Sequence, residues 1–178
     1  MPALPYLPHY TAEDYRQWEG DWELWSGIPV AMTPSPFGPH QAVAARLIRL
    51  LGNQLEAAGC DCQVLHELDW VVSDDTVVRP DVVIVCGAIP ETHLHEAPVL
   101  IAEVLSRRTE HKDRGAKREL YRQQGVAYYL ILDPHEKTVE VDQRTASGKY
   151  EQLDAAVPCR LELQANCHII LDPTKLFG

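Results

Sequence analysis

The sequence carries its clearest structural signal at residues 80–86, which read Pro-Asp-Val-Val-Ile-Val-Cys. An apolar run of this length, opened by the acidic residue Asp81, is typical of a β-strand that is covered on both faces. Two similar runs occupy residues 99–105 and 128–132, and the first of these is interrupted by a single charge, Glu103. The three runs predict three buried strands of one central sheet.

Helical and turn signals surround these strands. Apolar residues recur at helical spacing from about His40 to Ala58, and Gly59 ends the segment, which predicts the longest helix of the chain. Shorter helices are predicted from Thr11 to Trp18 and from about His111 to Gln124. The other predicted elements are a hairpin of residues 22–25 and 28–32, a loop with Pro34, Pro36 and Pro39, and short strands at 63–65, 70–72 and 139–141. This order indicates an α/β fold with a central mixed sheet flanked by helices.

The composition limits the class of protein. A length of 178 residues fits a single domain, predicted here as 1–178, with a buried core. No apolar run approaches the ~20 residues of a membrane span, and the first residues lack the basic and apolar pattern of a signal peptide. We therefore expect a cytoplasmic protein without membrane contact, and we expect its five cysteines to be reduced thiols.

The net charge of the chain is −10, from 16 basic and 26 acidic residues. A phosphate backbone repels such a surface on average, so the charge counts against a nucleic-acid role without excluding it. An acidic metal site would account for part of this charge, and divalent cations would offset it locally.

Two carboxylates lie where folding alone would not put them. Asp81 opens an apolar strand, and Glu103 interrupts another. A buried, ionised carboxylate is usually paired, protonated or metal-bound, because leaving it unpaired costs several kcal/mol or more. The structural alternatives are a turn residue for Asp81 and a water-facing position for Glu103. Period-two alternation places Glu103 on the same face as Ile101 and Leu105, which weighs against the second alternative.

A lysine on the next predicted helix extends this pair. Asp113, Lys117 and Tyr121 are spaced four residues apart, so they share one helix face. If that face packs toward the sheet, the Lys117 ammonium group lies near the end of the Glu103 strand. The alternative is an exposed Asp113–Lys117 salt bridge, which would contribute only ~0.3–0.5 kcal/mol.

The combination of Asp81, Glu103 and Lys117 suits metal-assisted hydrolysis of phosphodiesters. Two carboxylates can hold Mg²⁺ (or Mn²⁺), because these ions prefer oxygen ligands and keep several waters. The metal polarises a phosphoryl oxygen and lowers the pKa of a bound water. A lysine beside it can orient that water or stabilise charge that develops on the phosphate.

Pro80-Asp81 with Glu103 on a second strand is one of several stretches that resemble a known family. The others are residues 22–27, 34–40, 102–106, 113–121 and 128–134. In this order they resemble the PD-(D/E)XK nuclease superfamily and, more closely, small bacterial proteins of the Uma-two restriction endonuclease type. The resemblance implies a restriction-endonuclease-like fold, metal binding by Asp81 and Glu103, and DNA as a transient substrate. It covers roughly residues 6–150 and leaves a C-terminal extension of 151–178.

The sequence departs from the superfamily pattern at Leu105, because the superfamily places its lysine two residues after the glutamate. In the Uma-two type this lysine resembles one moved onto the following helix, which points to Lys117. Lys112 is the weaker substitute, since it falls off the Asp113–Lys117–Tyr121 face. Glu23 and His40 also match positions of the family and are predicted, with Asp113 and Tyr121, to line the pocket. Ile28-Pro29 stands where relatives often carry an acidic residue.

Three other features were weighed. Cys60-x-Cys62 near His66, and His93-x-His95 near Cys86, lack the matched second pair of a structural zinc site, which favours buried cysteines instead. A basic cluster could be a solvated helix face or a phosphate-facing edge; its members are Arg107, Arg108, Lys112, Arg114, Lys117, Arg118 and Arg122. The acidic charge and Leu105 favour the alternative function, a catalytically inactive nuclease-fold module for interaction or regulation. The resemblance also implies a homodimer.

Overall fold

The computed structural model describes residues 8–32 and 38–178. Its helices are α1 (Ala12–Tyr15), α2 (Gly38–Ala58), α3 (Glu110–Lys112) and α4 (Arg118–Gln123), with a π-helical turn at Asp113–Lys117 and a 3-10 turn at Pro173–Lys175. Its strands are β1 (Trp22–Trp25), β2 (Ile28–Ala31), β3 (Cys62–His66), β4 (Trp70–Ser73), β5 (Thr76–Val78), β6 (Val82–Cys86), β7 (Leu100–Val104), β8 (Tyr128–Asp133), β9 (Thr138–Arg144), β10 (Tyr150–Leu153), β11 (Cys159–Gln164) and β12 (Cys167–Leu171). Pro34 and Pro36 of the predicted loop lie outside the described residues.

The central sheet is mixed, as the sequence predicts. Its six strands are ordered β10-β9-β8-β7-β6-β3. Strands β7 and β8 run parallel, and the other neighbouring pairs run antiparallel. The helical segment from α3 to α4 connects the parallel pair, because parallel strands need a crossover of this kind. This arrangement confirms the predicted α/β class.

Alternation along the central strands builds a separate core on each face of the sheet. Leu130 and other residues of one parity pack against Leu47 of α2. Residues of the opposite parity, such as Ile101, pack against Tyr121 of α4. Glu103 has the same parity as Ile101, so its carboxylate lies on the α4 face of the sheet.

Two smaller sheets complete the fold. Strands β2-β1-β5-β4 form one of them, with Leu24 and Val77 in its core. Strands β11 and β12 form a hairpin that contributes Leu161 and Ile169 to the core around α2. The segment predicted as a C-terminal extension is therefore packed into the same structure.

Two predicted helices differ from those observed. The helix predicted to start at Thr11 has its capping box with Asp14, but it ends at Tyr15 because the next N–H groups bond to carbonyls three residues back. The helix predicted from His111 to Gln124 is interrupted by the π-helical turn of Asp113–Lys117. Such turns occur frequently at functional sites. None of the described helices is long and apolar enough to span a membrane.

The cysteines do not match the expectation of reduced thiols. Disulfides join Cys60 to Cys167 and Cys62 to Cys86, whereas Cys159 is free. The second pair lies at directly opposite positions of the antiparallel strands β3 and β6. The sequence gives no sign of either pairing, because both depend on strand order and on the position of the C-terminal hairpin.

Candidate active site

Asp81 lies at the start of β6, where it is fixed against the neighbouring strand β7. Its Oδ2 atom accepts a hydrogen bond of 2.8 Å from the backbone N–H of Val104. The same oxygen lies 3.2 Å from Nε2 of His40, at the start of α2. Strand pairing produces this geometry, because Val82 pairs with Ala102 and so places Asp81 beside the end of β7.

Glu103 is buried in β7 with only 2% of its surface exposed. Its Oε1 atom accepts hydrogen bonds of 2.8 Å from Nζ of Lys117 and 2.8 Å from the hydroxyl of Tyr121. Burial raises the pKa of the Glu103 carboxyl to about 8, although Lys117 opposes the shift. A carboxyl with so high a pKa binds protons readily near neutral pH, as acids and metal ligands at functional sites often do.

Lys117 lies at the centre of the carboxylates. Its Nζ is 2.8 Å from Glu103, 3.4 Å from Glu23 and 3.7 Å from Asp113. Burial alone would lower the pKa of this ammonium group, but the surrounding carboxylates hold it above the ordinary value. Lys117 is therefore a permanent, buried positive charge at this site.

Glu23 of β1 is a buried anion whose oxygens are all engaged. It accepts hydrogen bonds from Nε1 of Trp25 at 3.0 Å, the backbone N–H of Arg79 at 3.1 Å and Nζ of Lys112 at 2.6 Å. Burial would raise the pKa of Glu23, but Lys117 and Lys112 hold it at about 2. Glu23 thus resembles a structural counter-ion of the two lysines more than a free ligand.

His40 and Asp113 each have one buried atom without a hydrogen-bond partner among the described residues. These atoms are Nδ1 of His40 and Oδ1 of Asp113. Burial would lower the pKa of His40, but its contact with Asp81 raises it. Burial also raises the pKa of Asp113, against the effect of Lys117. Unpaired buried polar atoms of this kind are uncommon and mark a site that can accept further ligands.

The structure brings all seven residues singled out in the sequence into one connected set of contacts. They are Glu23, Asp81, Glu103, Lys117, His40, Asp113 and Tyr121. Sequence reasoning missed Trp25 and Arg79, which bind Glu23, and Tyr129, whose hydroxyl donates to the Asp113 carbonyl. It also discounted Lys112, which reaches Glu23 from outside the predicted face.

The donor set fits a divalent cation in two respects. Four carboxylates (Glu23, Asp81, Glu103 and Asp113) face two lysines, which leaves an excess of negative charge. The protein donors reach only Oδ2 of Asp81 and Oε1 of Glu103 among the described residues, so the second oxygen of each carboxylate is available. Burying so many anions together is costly unless a cation compensates them.

The protein would supply only part of a metal's coordination. With four cysteines paired as disulfides, no group of three or more His, Cys, Asp or Glu side chains in residues 8–32 and 38–178 is arranged to hold a metal ion. Mg²⁺ commonly binds through one or two carboxylates and completes its octahedron with waters and substrate phosphate. The residues present therefore fit Mg²⁺ or Mn²⁺ better than an ion that needs a complete protein cage.

Most of the predicted basic cluster is neutralised within the chain. Arg114 pairs with Glu140, Arg118 with Asp142, and the two lysines with the site carboxylates. Arg122 likewise pairs with Glu119. Arg107 and Arg108, which directly follow the Glu103 strand, are exposed and have no ion pair among the described residues.

Comparisons with known proteins agree with this architecture. The Uma2 family model, described as "Putative restriction endonuclease", matches residues 12–166. A relative from Synechocystis sp. (strain ATCC 27184 / PCC 6803 / Kazusa), "Uncharacterized protein slr1290", is 28% identical over 171 residues, covering 92% of this chain and 89% of the relative. A crystal structure of "a putative nuclease belonging to DUF820" from Anabaena variabilis ATCC 29413 is 18% identical, with a TM-score of 0.75 and coverage of 94% of this chain and 97% of that one. This last likeness confirms the predicted nuclease-type fold.

Proposed function

The chain belongs to the Uma2 family of proteins described as "Putative restriction endonuclease", and from this premise we propose that it is a metal-dependent endonuclease that hydrolyses DNA phosphodiester bonds. The observation that carries the proposal is the buried contact of Lys117 with Glu103, beside the backbone-anchored Asp81. A buried cation surrounded by carboxylates costs folding free energy, so a catalytic role is a better explanation than stability.

Asp81 and Glu103 would hold Mg²⁺ or Mn²⁺ through the oxygens that the protein leaves free. The metal, when bound, supplies a polarised phosphoryl oxygen and a water of lowered pKa. Val104 and His40 hold the Asp81 carboxylate in place. Lys117 and Tyr121 hold the Glu103 carboxylate in the same way. Fixed ligand positions of this kind support catalysis, because the site does not need to reorganise during the reaction.

Lys117 is the residue proposed to act on the reacting groups. Its ammonium group donates hydrogen bonds and remains charged, since Glu103, Glu23 and Asp113 raise its pKa. It would orient the attacking water or stabilise the charge that develops on the phosphate. It has this position although residue 105, where the superfamily lysine is expected, is leucine.

DNA as the substrate is consistent with the charge of the chain only if contact is local and transient. The overall charge of −10 disfavours tight, extended binding to phosphates. Arg107 and Arg108, free of ion pairs in the described structure and next to the Glu103 strand, would contact the backbone beside the scissile bond. We further propose a homodimer, which light scattering tests directly; a monomer at all concentrations would contradict it.

The test is cleavage of supercoiled plasmid with Mn²⁺, Mg²⁺ or EDTA. We expect metal-dependent nicking by the wild type, and its loss in Glu103→Ala and Lys117→Ala. Glu151→Gln, at an exposed position of β10, is the matched control and should retain activity. No cleavage with either metal, or equal cleavage by Glu103→Ala, would contradict the proposal and favour an inactive module for interaction or regulation.

A further inference from the structure

Four of the five cysteines form a cluster far along the chain from one another. The cysteine cluster consists of Cys60, Cys62, Cys86 and Cys167. Its members come from three places in the fold: the entry to β3, the end of β6 and the start of β12. They pair as two disulfides, and the two pairs are in contact, because the sulfurs of Cys62 and Cys167 are 3.8 Å apart.

The separation between the two pairs matches the geometry of a metal site. In a tetrahedral zinc thiolate site, Zn–S bonds are about 2.3 Å long, which places neighbouring sulfurs ~3.8 Å apart. The non-bonded distance between Cys62 and Cys167 has this value. The other two sulfurs are each bonded to one of these atoms, so small rotations of the side chains would bring all four sulfurs around one centre.

We propose that the cysteine cluster binds one Zn²⁺ when it is reduced, and that the two disulfides are the oxidised form of the same site. Four cysteine thiolates are the ligand set of many structural zinc sites. Soft sulfur ligands select zinc over Mg²⁺ or Mn²⁺, which prefer oxygen. This site is therefore separate in its chemistry from the one built on Asp81 and Glu103.

The chemistry of the interconversion is simple. Reduction of the two disulfides needs four electrons and gives four thiols; a phosphine reductant supplies two electrons per disulfide and is oxidised to the phosphine oxide. Zn²⁺ then displaces the thiol protons as it binds. No backbone rearrangement is required, since Cys62 and Cys86 are already opposite each other in β3 and β6.

The position of the site explains what the metal would stabilise. Strand β3 is an edge strand of the central sheet, and β12 belongs to the C-terminal hairpin. A zinc ion held by Cys62 of β3 and Cys167 of β12 would fasten that hairpin to the sheet edge. Because Cys62 and Cys167 are almost completely buried, the metal would be shielded from water on that side, as structural zinc ions commonly are.

The test starts from protein reduced with a phosphine, freed of metal and titrated with Zn²⁺ without oxygen. We expect one zinc per chain with a Kd on the order of 10 nM or tighter, and tetrahedral Co²⁺–thiolate absorption when Co²⁺ replaces zinc. Cys62→Ser and Cys167→Ser should each bind less than about a tenth as much zinc. Cys159→Ser is the matched control, because Cys159 is outside both pairs, and it should bind like the wild type.

Two measurements keep the result decisive. Should Cys62→Ser fail to fold, the wild type serves alone: under reductant, Zn²⁺ should raise its Tm by about 5 °C or more, whereas Mg²⁺ should not. Glu103→Gln should bind zinc normally, which separates this site from the active site. Fewer than about 0.1 zinc per reduced wild-type chain, preference for iron, or unchanged zinc binding by folded Cys62→Ser would overturn the proposal.

Discussion

Nζ of Lys117 lies 2.8 Å from Oε1 of Glu103, a contact between a helix and a strand residue fourteen positions earlier in the chain. Both side chains are buried. The lysine belongs to the π-helical turn, and the glutamate interrupts an otherwise apolar strand. The helix therefore delivers to Glu103 the cation that residue 105 of the same strand does not provide.

Replacing Lys117 with methionine separates catalysis from metal binding. We expect plasmid nicking to fall by about 100-fold or more, because the site loses its donor to the reacting groups. Mn²⁺ affinity, measured by calorimetry, should stay the same or increase, since a competing cation leaves the carboxylates. Lys149→Met, at an exposed position, is the control. Wild-type nicking by Lys117→Met would remove this residue from the mechanism.

Glu103→Gln is expected to stabilise the metal-free protein as pH rises. The folded pKa of Glu103 is about 8 and its model value is 4.5, so the folded state binds more protons between these values. Wild-type stability therefore falls relative to the variant from pH 4.5 to 8. In EDTA, the Tm of the variant should match the wild type at pH 5 and exceed it by about 3 °C or more at pH 8.5. A difference independent of pH would show that Glu103 is already ionised at pH 5.

Glu23→Gln is expected to have the opposite effect. The folded pKa of Glu23 is about 2, below its model value of 4.5, so its stabilising contribution is present above pH 4.5 and is lost as pH falls toward 2. At pH 7 the variant should lose about 2–3 kcal/mol, because Lys112 and Lys117 lose a buried anionic partner. Urea denaturation at pH 7 and pH 3.5 measures the change. Equal destabilisation at both pH values would contradict an ionic role for Glu23.

The sequence predicted the site residues that disturb a regular pattern. Asp81 and Glu103 interrupt apolar strands, and Lys117 shares a helix face with Asp113 and Tyr121. These signals are local, so a strand or helix period is enough to find them. The central strands and α2 were predictable for the same reason.

The partners of Glu23 were not predictable. The backbone N–H of Arg79 is 56 residues away from Glu23, and Lys112 is 89 residues away. The cysteine cluster likewise joins residues up to 107 positions apart. Contacts of this range depend on strand order and on how the sheets pack, which single-sequence periodicity does not contain. The same limit applies to Lys112, whose long side chain reaches the site although its position lies off the predicted face.

Exchanging the residues at positions 105 and 117 tests whether one lysine can serve from either place. The backbone N–H of Leu105 donates to the Leu132 carbonyl at 2.8 Å, so residue 105 continues the pairing of β7 with β8. Alternation then places its side chain on the face of Glu103, and Leu105 is buried in the same core as Tyr121. A lysine at position 105 would thus meet the carboxylate that Lys117 leaves, while the exchange keeps the total side-chain volume.

We expect Lys117→Leu alone to be inactive, and Lys117→Leu with Leu105→Lys to recover nicking by about tenfold or more over that variant. The control is Lys117→Leu with Leu105→Met, which lengthens the side chain without a charge. Circular dichroism and Tm establish that all three variants are folded. Equal activity of the two double variants would show that the strand position cannot replace the helix position, and the active site would then depend on the π-helical turn to place its lysine.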